Sequence, residues 1–272
     1  MSDRVKHSEE IAAAMRKDII GLADVLDGKS GHWGGALSCV EILAVLFGEV
    51  MKIETSDFAH KDKFLLSKGH ASMALYTAMR EVGLLDQETL MTYQKDGTKL
   101  PDLAIADPDL AIECSGGSLG INLSMGVGMA LLAQRKGYPY HTYVLVGDGE
   151  LDEGSVWEAI MFAAQMQLNN LTVIVDANGI QSDGYTKNIL SWERLPERLD
   201  AFGWQVAEID GHKCGEILTA LEELSAQQGP GIIVAHTVKG KGISFMEDNY
   251  SWHDCELNRN YLEIAKREVG YI

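Results

Sequence analysis

Residues 142–150, TYVLVGDGE, and residues 171–180, LTVIVDANGI, decide the fold. Each starts as an unbroken apolar, β-rich run without the alternation of a half-exposed strand, and each ends on a carboxylate followed within three residues by glycine. Between them, residues 153–168 carry a helical pattern beginning near Glu153. Strand, helix and strand in this order make a parallel βαβ unit, because parallel neighbours need a crossover.

Working outward, residues 63–67 (KFLLS) read as a short buried strand that passes into a helix near His70, and residues 231–237 (GIIVAHT) as another apolar strand. Ile11, Met15, Ile19 and Leu22 recur at helical spacing over residues 8–26, which end near Asp27-Gly28. A glycine-rich loop, 28–35, follows, then a buried helix over 38–48 (SCVEILAVLFG) with Ser38 as its N-cap. The expected class is α/β, a doubly wound, mainly parallel sheet flanked by helices. With no repeat, low-complexity tract or long linker, residues 1–272 read as a single domain.

Composition narrows the functions. The net charge of −17 would repel a phosphate backbone, so nucleic-acid binding is not expected. Twenty-eight glycines against five prolines suit tight turns and close backbone approaches. Cys39, Cys114, Cys214 and Cys255 form no Cys-x-x-Cys pair and read as reduced thiols. The charge-free run 114–134 contains five glycines, three serines and an asparagine, which argues against a membrane span. Charges scattered through the first twenty residues argue against a secretory signal, so a cytoplasmic protein is expected.

In an open parallel sheet, ligands bind outside the carboxyl ends of the strands, here after Ser67, Gly147 and Asp176. Asp148 leaves one strand end beside Gly149, and a carboxylate so placed suits a hard cation such as Mg²⁺ while the glycine admits a diphosphate. Asn178 lies thirty residues later at the next strand end. If the strands are neighbours, its amide oxygen and a backbone carbonyl join the carboxylate around one ion, with phosphate oxygens completing the shell. Taken singly, Asp-Gly and Asn-Gly are also ordinary turn chemistry.

With its surroundings, the Gly147-Asp148-Gly149 and Asn178 pair resembles the thiamine diphosphate and Mg²⁺ motif, and DANGIQSDG resembles its transketolase form. Segments 28–38 (GKSGHWGGALS), 63–76 (KFLLSKGHASMALY), 116–130 (GGSLGINLSMGVGMA) and 238–248 (VKGKGISFMED) are similar to transketolase segments in the same order. The resemblance implies the thiamine diphosphate-binding fold, in its diphosphate-binding form, and the N-terminal subunit of a split enzyme. It implies Mg²⁺ held by Asp148, the Asn178 side chain and the Ile180 carbonyl. Cofactor contacts would come from Gly117, Ser118, Leu119, Gly149, Glu150 and His70. His32, His70 and His253 would serve catalysis, with His32 facing the substrate, and Glu153 and Glu158 would sit at a subunit interface.

The resemblance also implies transfer of a two-carbon ketol unit from a ketose to an aldose. The activating glutamate would come from a C-terminal partner subunit carrying the pyrimidine domain, in an α2β2 heterotetramer acting on sugars or sugar phosphates. One departure bears on the substrate: transketolases carry a Gly-His-Pro before the glycine turn, whereas residues 100–117, LPDLAIADPDLAIECSGG, contain no histidine. A sulfonated or branched sugar therefore stays open. The alternatives are a subunit of an E1-type 2-oxo acid decarboxylase or dehydrogenase, against which SKGHAS and GKSGH argue, and a non-catalytic scaffold. Two further motifs are set aside. Gly126-Val-Gly128 lies within a helical pattern and lacks a third glycine, and Lys239-Gly-Lys241-Gly has no P-loop frame, reading as a loop over an anionic ligand or a solvated one.

Overall fold

The computed structural model describes residues 2–53 and 57–271. Five strands form its central sheet: β1 Lys63–Leu66, β2 Thr142–Gly147, β3 Leu171–Ala177, β4 Gln205–Asp210 and β5 Gly231–His236. Their spatial order is β1-β2-β3-β5-β4 and every pairing is parallel. β2 and β3 are neighbours, with Gly147 opposite Asp176.

Helices cover both faces because side chains alternate along each strand. Tyr143, Leu145, Ile174 and Ile233 join one core with helix α1 (Asp3–Gly21), helix α2 (Val40–Val45), helix α3 (Ser72–Glu81) and the helix Cys214–Ser225. Val144, Val146, Val173, Val175 and Ile232 join a second core with helix α4 (Ile121–Lys136) and helix α5 (Gly154–Gln165). In α4 a Cβ on Gly126 would stand 2.5 Å from Val144 Cγ2, so this glycine lets the helix lie on the sheet and is no dinucleotide motif.

The first helix begins earlier than its apolar pattern, at Asp3, with the Ser2 hydroxyl accepting from Val5 N. It ends at Gly21, a single turn (Ala23–Leu26) follows, and Asp27 turns left-handed at φ 46°. Ser38 is not an N-cap. Cys39 holds that position ahead of α2, and the Ser38 hydroxyl donates instead to Gly35 O at 3.1 Å and Asp176 Oδ2 at 2.5 Å. The expected helix also stops short, at Val45, and residues 46–50 widen into a π turn. Strand β4 carries no apolar run because it lies at the sheet edge, half-buried, with Glu208 exposed. No helix of the described residues is long and apolar enough to cross a membrane, and all four cysteines are free.

Candidate active site

The carboxyl ends of β1, β2 and β3 open into a cavity of about 460 Å³. Strand β2 ends because Asp148 turns the chain, its Oδ1 accepting from Gly149 N at 2.9 Å to cap the turn Gly149–Asp152. β3 ends in a similar turn, with Gly179 at φ 76° and Asn178 Oδ1 accepting from Ile180 N at 3.1 Å. These turns touch: Gly179 N donates to Asp148 Oδ2 at 2.7 Å and Thr186 Oγ1 donates to the same oxygen at 3.1 Å. The spacing of thirty residues thus becomes one corner of the cavity, lined by Asp148, Gly149, Asn178 and Ile180.

His32, His70 and His253 line the same cavity. His32 precedes the short helix Trp33–Leu37, His70 sits in the turn Gly69–Ala71 after β1, and His253 follows the turn Tyr250–Trp252. A two-residue ladder, Ser30 to Glu256 and Gly31 to Cys255, ties the loop of His32 to that of His253. The ring centroids lie 5.5 Å apart for His32 and His70, 5.7 Å for His32 and His253, and 5.2 Å for His70 and His253. Burial, aided by the nearby Lys68 charge, holds His70 well below the ordinary imidazole range. Burial and Lys239 bring His253 to about 4. Both rings are therefore neutral at pH 7.

Two lysines complete the electrostatics. Lys68 and Asp176 are 1% and 0% exposed and form an ion pair, with Lys68 Nζ also donating to Gly35 O at 2.9 Å. Burial opposes the Lys68 charge, but Asp176 outweighs it and holds the ammonium above its usual value. Asp176 further accepts from Ser38, Thr237 and, at 3.1 Å, Asn178 Nδ2, so it locks the amide whose oxygen faces Ile180. Lys239, 1% exposed, donates to Ile180 O at 3.1 Å and to His253 Nδ1 at 2.7 Å, and burial with the repulsion of Lys68 pulls it down to about 8.

The remaining predicted residues divide. Gly117 and Leu119 line the cavity, whereas Ser118 between them is exposed and is not among the lining residues. Glu150 lines it too, but its carboxylate accepts from Ser67 Oγ, from Gly120 N at 2.7 Å and from Gly147 N at 3.2 Å, bracing three turns. Glu153 lies at the cavity rim and Glu158 on α5, both exposed. The sequence marks Asp176 as a strand end and carries Lys68 in the quoted SKGHAS, but does not show that the two pair. Lys239, in the loop read from sequence as covering an anionic ligand or as solvated, is buried and lines the cavity.

The donor set suits a hard cation. Asp148 Oδ1, Asn178 Oδ1 and Ile180 O are all oxygens, and each keeps a lone pair beyond its protein hydrogen bond. Burial and the Asp176 charge raise the Asp148 carboxyl, which is the signature of an anion short of a counter-charge. Gln181, another lining residue, buries Oε1 without a hydrogen-bond partner among the described residues. No cluster of three His, Cys, Asp or Glu ligands occurs among the described residues, so a metal here would rely on oxygens from a bound anion.

The chain is similar to known proteins along nearly its whole length. The sequence profile of the family described as "Transketolase, thiamine diphosphate binding domain" matches residues 8–272. The 6-deoxy-6-sulfo-D-fructose transketolase subunit of Clostridium sp. (strain MSTE9) is 38% identical over 268 residues, covering 97% of this chain and 96% of that protein. An apulose-4-phosphate transketolase subunit of Actinobacillus succinogenes is 37% identical over 266 residues, covering 96% and 95%. The crystal structure of Campylobacter jejuni transketolase superposes with a TM-score of 0.87 at 27% identity over 99% of this chain, which spans 43% of that longer polypeptide. A parallel sheet with touching Asp148 and Asn178 turns, matched along nearly its whole length by that profile, makes this chain a member of the transketolase family in its thiamine diphosphate-binding domain.

Proposed function

We propose that this chain is the diphosphate-binding subunit of a two-chain transketolase, working as one domain and transferring a two-carbon ketol unit from a ketose to an aldose. The observation that carries the reading is the contact between the Asp148 and Asn178 turns beside a cavity with two buried lysines. Bound thiamine diphosphate supplies the carbon nucleophile of ketol transfer. Asp148, Asn178 and the Ile180 carbonyl hold Mg²⁺. His70, Gly149, Glu150 and the Gly117-Ser118-Leu119 turn meet the cofactor, Ser118 and Glu150 through their main chain. Lys239 adds positive charge facing the diphosphate. His32 and His253 face the sugar and move or hold its hydroxyl protons.

A C-terminal partner subunit supplies the pyrimidine domain with the activating glutamate, and two such pairs form a heterotetramer with Glu153 and Glu158 at the interface. Relatives named as subunits that match along nearly their whole length support this reading. So do Ile121, Met125, Met161 and Phe162, large apolar side chains exposed on α4 and α5. The same relatives are named for 6-deoxy-6-sulfo-D-fructose and apulose 4-phosphate, and with the histidine-free segment 100–117 they favour a substrate other than a standard pentose phosphate. The enzyme acts in the cytoplasm.

Calorimetry of the chain mixed with its partner should show thiamine diphosphate and Mg²⁺ binding together, and Asp148→Ala should abolish it. Unchanged binding by that variant would refute the site.

A further inference from the structure

The segment without the family's histidine places a carboxylate against the substrate-facing imidazole. Asp102 lies 3.4 Å through Oδ1 and 3.2 Å through Oδ2 from His32 Nδ1. Its position is built: Tyr93 OH donates to Oδ1 at 2.8 Å and Gln94 Nε2 at 3.0 Å, while Ser72 Oγ donates to the Asp102 carbonyl and Tyr76 OH to Pro101 O at 3.0 Å. Tyr76 and Tyr93 are wholly buried, so helix α3 and the segment after it clamp Pro101-Asp102 from behind. His32 Nε2 has no protein partner among the described residues, and His32 lines the cavity.

We propose that Asp102 is a positioning residue that holds the His32 proton on Nδ1, so that Nε2 presents a bare lone pair to the sugar hydroxyl. The inference rests on the ketol-transfer reading above and says which base serves it. A carboxylate on Nδ1 fixes the tautomer and stabilises the imidazolium that forms when Nε2 takes a proton. Cleaving a ketose between C2 and C3 turns the C3 alcohol into an aldehyde. Its O–H bond breaks, an N–H bond forms at Nε2, the freed O–H pair becomes the carbonyl π bond, and the C2–C3 pair leaves with the two-carbon fragment. In the reverse step Nε2 returns that proton to the acceptor's carbonyl oxygen.

The groups facing His32 agree with this assignment. His70 and His253 stand on its other sides as neutral rings, Lys239 donates to His253 rather than to His32, and Asp102 is the anion in reach. Burial opposes the Asp102 charge, but hydrogen bonds from His32, Tyr93 and Gln94 outweigh it and keep the carboxyl below its usual value.

The test has two arms. In the full chain labelled with ¹⁵N-histidine, with His32 assigned by its loss in His32→Gln, the neutral ring should carry its proton on Nδ1. Asp102→Asn should lower the fraction of rings protonated on Nδ1, and Asp102→Glu should retain most of it. An unchanged tautomer in Asp102→Asn overturns the proposal. In the complex with the partner chain, thiamine diphosphate and Mg²⁺, 6-deoxy-6-sulfo-D-fructose and D-xylulose 5-phosphate are compared with hydroxypyruvate, whose cleaved bond releases carbon dioxide from a carboxylate and so requires no hydroxyl to be deprotonated. Asp102→Asn should lower kcat on the ketose that the wild type turns over by about 10- to 100-fold, with KM little changed and the acidic limb of the pH profile displaced. Carbon dioxide release in the first turnover, before any acceptor step, should stay within about twofold. Equal losses on both kinds of donor overturn the proposal. A wild-type complex that releases no carbon dioxide from hydroxypyruvate overturns the ketol-transfer reading instead, and the histidine tautomer then still decides the pairing.

Discussion

Replacing Lys68 with methionine removes an ammonium that is 1% exposed from a carboxylate that is 0% exposed, 108 residues away in sequence. Two unit charges 4 Å apart attract by about 4 kcal/mol at the effective dielectric constant of about 20 that suits protein sites. Asp176 keeps Ser38, Thr237 and Asn178 as neutral donors, so it is not stripped bare, but it stays a charge without a counter-charge. Breaking such a pair from one side costs about 3–5 kcal/mol, and those donors place this case near 3. For a chain of this size that lowers Tm by roughly 6–12 °C. Adding Asp176→Asn removes the stranded charge while an amide oxygen still accepts from Ser38, so the double variant should regain about 2 kcal/mol. Urea unfolding followed by circular dichroism on all four proteins reads the coupling directly. A Lys68→Met chain within about 1 kcal/mol of wild type, or a double variant no more stable than the single one, refutes the argument.

Other perturbations test neighbouring parts. In Gly149→Ala the new Cβ would stand 2.7 Å from Gln181 Cβ, so the Ile180–Gln181 turn must shift. Thiamine diphosphate affinity in the mixed complex should fall by about tenfold or more with little change in Tm, as calorimetry and melting would show. Glu41 is held below the usual carboxylate value: burial opposes its charge, but His212 at 3.0 Å and Arg16 at 2.6 Å outweigh that. Because the folded value is the lower one, this stabilisation is present above pH ~4.3 and is lost as pH falls through the folded value. Glu41→Gln should cost about 1–2 kcal/mol at neutral pH and flatten the acid side of the Tm-against-pH curve; parallel curves would contradict it. The same network reaches the Lys239 loop, since Arg16 Nε donates to Lys241 O and Val238 N to His212 Nε2.

Much of the site was legible because its framework is local. Buried parallel strands have to be apolar throughout, so TYVLVG and LTVIVD announce themselves, and a carboxylate or asparagine followed by glycine ends each one. Strand β4 was missed because QVAEID has only one neighbouring strand and need not hide both faces. Ser38 matched the N-cap rule in composition but not in position, because its hydroxyl is drawn to Asp176, 138 residues distant. Lys68 and Lys239 are residue types that normally seek water, and no local pattern states that a lysine is buried.

From sequence alone follow the parallel α/β class, the turns that end the strands at Asp148 and Asn178 and the family resemblance, since each is written in short runs; that the two turns meet follows from β2 and β3 being neighbours. The three-dimensional arrangement alone decides that His32, His70 and His253 share a wall, that Lys68 neutralises Asp176, and that Asp102 stands behind His32. Such pairings join residues 38 to more than 200 positions apart. Strand and helix periods reflect which side of an element faces the core, whereas a charge in a dry interior selects its partner by distance in space.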